Sequence, residues 1–188
     1  GRDFVTPEEI RNNPYQKKMV KEEKRTRKGI VFKEVENKQW MVARHDGSWT
    51  RMDKAFKRAE GLLENWMKEH HDKDCYPPTI INITDGEYNG TSYDEMQQLA
   101  NQLKSMFTND GNVLLFNIHV VPEHAESVVF PATVDELNGN GYGKKLYEMS
   151  SLLPLNYNEQ IRNIFGYKQA DIRYRAMGVN TGMERLVK

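Results

Sequence analysis

The sequence predicts an α/β fold: a mainly parallel sheet with helices on both faces, and a β-hairpin elaboration ahead of it. Three observations carry this. Residues 79–83 and 112–121 are short apolar runs rich in β-branched residues, the pattern of buried strands. Between them Ser92-Tyr93-Asp94-Glu95 forms a capping box. It opens a helical stretch with Met96, Leu99, Ala100, Leu103, Met106 and Phe107 on one stripe, and Asn109-Asp110-Gly111 ends it. A buried strand, a helix and a second buried strand make a parallel crossover.

Composition bounds what such a fold does. The 188 residues suit one domain with a real core. Lys+Arg and Asp+Glu number 27 each, so the net charge is zero, which argues against a chain-wide electrostatic grip on nucleic acid. No run approaches the roughly 20 apolar residues of a membrane span, and no signal peptide is evident. The one cysteine, Cys75, cannot form an internal disulfide, which fits a reducing compartment. The chain starts Gly1-Arg2 and ends, at Met183–Lys188, on what reads as the first turns of a helix. It therefore reads as a piece of a longer polypeptide.

Taken in order, Thr6-Pro7-Glu8-Glu9 starts a helix and Asn12-Asn13-Pro14 stops it. Residues 17–28 hold seven Lys/Arg and two Glu. They read as a solvated helix or linker face, or as a small patch for an anionic partner. No aromatic residue interleaves them, which weakens a nucleic-acid reading further. Residues 1–28 thus form a helical and polar lead-in to a domain spanning 29–188. Residues 30–35 and 40–43 read as the two strands of a hairpin around 36–39. Asp46-Gly47-Ser48 marks a loop. Residues 51–70 follow the helical period through Met52, Ala55, Phe56, Ala59, Leu62, Leu63, Trp66 and Met67, with Thr50 and Asp53 as a capping box. Farther on, residues 127–130 read as a short strand, 143–153 and 158–165 as helices, and 171–179 as a last strand.

Ligands of open parallel sheets bind beyond the carboxyl ends of the strands, and Asp85 sits at such an end. A carboxylate there either holds a hard cation or simply closes an Asp-Gly turn. Thr50 either caps its helix or offers a hydroxyl ligand. Both are oxygen donors of the kind Mg²⁺, Mn²⁺ and Ca²⁺ prefer. Asn117 and His119 share one strand face, as polar filling of the sheet end or as lining of a ligand surface. The glycines of residues 139–145 lack phosphate-loop spacing. The His70-His71, Asp72, Asp74 and Cys75 group has no zinc-site spacing.

Residues 76–87, the helix after them and residues 108–119 resemble a bacterial von Willebrand factor type A domain. Gly47-Ser48-Trp49-Thr50-Arg51-Met52 is similar to that family's Gly-x-Thr-x-Met turn, and residues 146–154 resemble the closing region of one bacterial branch. The likeness spans roughly residues 47–154. It implies a Rossmann-like sheet, a bacterial and cytoplasmic setting, and a non-catalytic module that binds a protein partner, with neither nucleic acid nor membrane as its target. It also implies a metal-ion-dependent adhesion site. There Thr50 ligates Mg²⁺ (or Mn²⁺ or Ca²⁺) directly, Asp85 acts mainly through waters, and a carboxylate of the partner completes the octahedron. Ser48 and Glu87 would border that site. The family's first element, Asp-x-Ser-x-Ser, has no match in the chain. The first strand and first metal-site motif are thus expected upstream of Gly1, and the cation in the complete protein rather than in these residues alone. The alternatives are a Rossmann-like metal-dependent enzyme with Asp85 at its site, or a structural fragment without one.

Overall fold

The computed structural model describes residues 3–27, 29–40, 49–121, 127–137, 141–167 and 172–180. The chain divides into two compact units, Gly1–Ser48 and Trp49–Lys188.

The first unit opens with α1, Pro7–Asn12. Its capping box forms as the sequence predicts: Thr6 Oγ1 accepts from Glu9 N at 3.1 Å, and the Glu9 carboxylate accepts from Thr6 N at 2.7 Å. Then β1, Gln16–Thr26, pairs antiparallel with β2, Gly29–Gln39. The basic run is therefore a strand through residue 26, and residues 36–39 belong to β2 instead of a loop. The lead-in expected over 1–28 is cut through by this hairpin. A helix would stack Lys17, Lys21 and Arg25 at i, i+4, which is repulsive. The ladder instead sets Lys21 opposite Glu34, Glu22 opposite Lys33 and Val20 opposite Val35. Trp40 follows β2, and its indole N–H donates to the Ile10 carbonyl, tying α1 to the hairpin's end. Residues 41–43, read as a strand, lie outside the described residues.

The second unit contains α2 (Met52–His70), β3 (Thr79–Thr84), α3 (Tyr93–Ser105), β4 (Phe107–Thr108), β5 (Gly111–Asn112), β6 (Leu114–His119), β7 (Val128–Val129), α4 (Gly141–Met149), α5 (Asn158–Phe165) and β8 (Met177–Val179). Among the described residues its main sheet has four strands in the order β3-β6-β8-β7. The β3–β6 pairing is parallel from Thr79↔Leu114 to Thr84↔His119, β6–β8 is parallel, and β7 runs antiparallel to β8. The predicted crossover is thus present in a mixed, mostly parallel sheet.

Alternation along the strands splits the apolar side chains between two cores. Leu115 and Met177 pack with Met52, Phe56 and Leu63 of α2, Met96, Ala100 and Leu103 of α3, and Leu146 and Met149 of α4. Phe116 and Phe130 pack with Leu153, Tyr174, Ala176, and Ile161 and Phe165 of α5. Helices therefore cover both faces. The second core gathers around Phe116 and leaves the edge strand β3 half open, so Ile81 and Ile83 are 63% and 62% exposed. This corrects the reading of β3 as a buried strand.

Three further boundaries differ from expectation. Met106 leaves helical geometry, so α3 stops at Ser105. Phe107 lies in β4, largely exposed, and Asn109-Asp110 turns the chain into β5 instead of ending the helix. The segment 143–153 is helical only to Met149, and the last strand covers only Met177–Val179. Among the described residues no helix is long and apolar enough to cross a membrane.

Candidate functional site at the carboxyl ends of β3 and β6

Parallel pairing sets Thr84 beside His119, so β3 and β6 end at one rim. The chain leaves β3 through a tight turn. Gly86 N donates to Thr84 Oγ1 at 3.0 Å, and Glu87 N donates to Asp85 Oδ1 at 3.2 Å. The side chains of Asp85 and Glu87 stay exposed. Gly86 is buried at φ +90°, and a Cβ placed there would lie 2.6 Å from Tyr142 Cβ and 2.9 Å from His119 Nε2. Only glycine satisfies both the dihedral and the space.

His119 holds the turn from below. It is 2% exposed, and its Nε2 lies 2.8 Å from the Asp85 carbonyl oxygen. A carbonyl only accepts, so Nε2 carries the proton and donates it. The other ring nitrogen, Nδ1, is buried and has no hydrogen bond among the described residues. Beneath lies Asn117, fully buried. Its Oδ1 accepts from Asn82 Nδ2 at 2.8 Å, and its Nδ2 donates to Ser150 Oγ at 2.9 Å and to the Leu146 carbonyl at 3.2 Å. Of the two readings open for Asn117, polar filling is the one the geometry favours.

The amino end of α4 closes the rim. Tyr142 packs on Gly86, and one turn later the Lys145 ammonium lies 5.4 to 5.9 Å from the ring centroids of Tyr142, Tyr93 and Tyr88. These are cation–π distances. The Tyr93 hydroxyl donates to the Glu148 carboxylate. Burial, and then that carboxylate, push its pKa above the ordinary phenol range. Burial raises Tyr88 as well.

Thr50 meets the loop after β3 through the backbone. Its carbonyl accepts from Asn89 N at 2.9 Å, stitching the segment before α2 to the loop after β3. The capping box read at Thr50 and Asp53 does not form. Arg51 occupies the N-cap position with no side-chain cap bond, and its guanidinium takes the Asp53 carboxylate through two bonds of 2.9 and 2.7 Å. That partner holds the Asp53 carboxyl at about 2, below its ordinary 3.8. The Thr50 hydroxyl thus takes no part in capping and carries no hydrogen bond among the described residues.

The segment of Thr50 therefore neighbours the loop that carries Asp85 and Glu87, with no hydrogen bond joining the side chains of Thr50 and Asp85 among the described residues. Ser48 lies outside the described residues. In kind, a free hydroxyl and an exposed carboxylate fit a hard cation. In number, two donors leave most of an octahedron to water or to other ligands, and no cluster of three His, Cys, Asp or Glu residues that could hold a metal occurs among the described residues. Tyr88, Tyr142 and Lys145 carry no local signal in the sequence, because α4 meets the turn only through the fold. No family model, curated protein or solved structure matches the chain.

Proposed function

We propose that the second unit is a non-catalytic protein-binding module of von Willebrand factor type A character. In the complete protein it would recognise a partner carboxylate through a divalent cation, with Thr50 as a direct ligand and Asp85 acting through waters. The observation that carries this reading is the hydrogen bond from Asn89 N to the Thr50 carbonyl. It joins the two segments that bear the hydroxyl and the carboxylate. An under-coordinated hard cation in a partly desolvated site attracts an incoming carboxylate strongly. The rim also supports a binding role over an acid/base role for Asp85. Its carboxylate accepts from a backbone N–H, while His119 spends its N–H on the Asp85 carbonyl.

Calorimetric titration of Mn²⁺ into the complete protein tests this. Asp85→Ala should weaken Mn²⁺ binding by about tenfold or more, with circular dichroism unchanged. Thr50→Ala should weaken it comparably. Equal affinity in wild type and Asp85→Ala would defeat the cation-bridged reading.

A further inference from the structure

We infer that the outer edge of β1 is a docking edge for an acidic, extended polypeptide segment, which joins the hairpin as a third strand. The hairpin is long and thinly supported. Its two strands have eleven residues each, and almost every position is exposed on both faces. The register pair Val20↔Val35 is half-buried, whereas Met19, Ile30, Val31 and Phe32 are 63%, 55%, 51% and 65% exposed. Two-stranded ribbons are marginal in water and gain most from a third strand. Among the described residues β1 and β2 pair only with each other, so the outer edge of β1 offers unused backbone donors and acceptors.

Charge selects the occupant. Strand β1 carries five Lys/Arg and two Glu, whereas β2 carries two Lys and two Glu. Pairing with β2 satisfies part of this surplus: Lys17 lies 3.9 Å from Glu36, Lys21 stands opposite Glu34, and Glu22 opposite Lys33. Arg25 is 3.6 Å from Glu23 of its own strand. Lys18 and Lys24 remain. Their cross-strand neighbours are the neutral Asn37 and Val31, and neither has an ion pair among the described residues. They share one face of the ribbon, on either side of Val20 and Glu22. A neighbouring strand with carboxylates beside Lys18 and Lys24, and a β-branched residue beside Val20, completes that face. Ladder hydrogen bonds supply affinity and the alternate side chains supply selection.

Other occupants fit less well. A second copy of β1 would set this basic edge against itself. A bilayer would meet Met19, Ile30 and Phe32 on one face, but Glu36 stands opposite Met19 and Glu23 opposite Phe32 there. A phosphate backbone accepts hydrogen bonds but donates none, so it would leave the outward carbonyls of β1 unpaired, which a polypeptide strand does not.

The test uses the full chain in EDTA, which separates it from any cation at Asp85. The probe is a short fluorescein-labelled peptide of alternating Glu and Thr, followed by anisotropy. Saturable binding is expected, weakened by about tenfold or more in the Lys18→Glu/Lys24→Glu double variant and by prolines at alternate positions of the peptide. A Lys/Thr peptide should bind that variant and not the wild type. In wild type, the peptide should shift the amide resonances of residues 16–26 more than those of 29–39, a readout that needs no variant. Absence of binding, equal binding of the proline peptide, or tighter binding of duplex DNA or phosphatidylserine vesicles in the same buffer would overturn the assignment.

Discussion

At Gly86 one missing methyl group lets three segments meet: the turn after β3, the imidazole at the end of β6, and the first turn of α4. An added Cβ would confront Tyr142 Cβ, an atom anchored to its own backbone that cannot swing aside. Gly86→Ala should therefore lower stability by about 2 kcal/mol or more, through strain at φ > 0 and overpacking together. Gly166 provides the comparison. It also has positive φ, at the end of α5, but nothing lies within 4 Å of an added Cβ. Gly166→Ala should cost only about 1 kcal/mol, from the dihedral alone. Urea denaturation of the two variants decides, and equal losses would mean that the turn after β3 relaxes around the added methyl group. Asn117 shows the same dependence on surroundings. Its identity suggested a ligand contact or filling, and its three side-chain hydrogen bonds, two of them buried, make it a brace between β3, β6 and the end of α4.

At the level of elements, one short pattern appears at three helix starts with two outcomes. Thr6 with Glu9 and Ser92 with Glu95 close reciprocal capping boxes. Thr50 with Asp53 does not, because Arg51 binds the shorter Asp53 side chain in a two-pronged ion pair before it can reach back to the N-cap. Ser92→Ala should thus destabilise the second unit by about 1 kcal/mol. Thr50→Ala should stay within about 0.5 kcal/mol of wild type. Thermal unfolding of both measures the contrast, and a Ser92-sized loss for Thr50→Ala would restore Thr50 as a cap. The hairpin teaches the complementary lesson. Its basic strand has no helical or strand period of its own, and its partner, residues 29–39, supplies the neighbours that make it a strand.

For the whole molecule, the Arg51–Asp53 pair links folding to acid. The folded Asp53 carboxyl sits at about 2, below its ordinary 3.8. The unfolded chain therefore binds the proton first as pH falls. The contribution of this pair is complete above about pH 4 and is lost as pH drops from there toward about 2. Asp53→Asn should flatten that part of the curve of stability against pH while leaving the rest. An unchanged acid limb would assign the loss to other carboxylates.

The crossover of residues 79–119, the long helix α2 and the short helix α5 were legible from residue order alone. Their apolar runs and 3.6-residue periods are local and name the type of element. The buried face followed for α2, whereas for β3 it did not, since Ile81 and Ile83 stay exposed. Asp85 was likewise legible as the residue following a strand. What the tertiary structure decided is everything that needs a second segment. It set the strand state of residues 16–26, the open edge position of β3, the release of Thr50 from capping, and the meeting of His119, Tyr142 and Gly86 around Asp85. Those outcomes depend on pairings between residues distant in the chain, and a local pattern carries no record of which distant charge, ring or backbone amide will stand beside it.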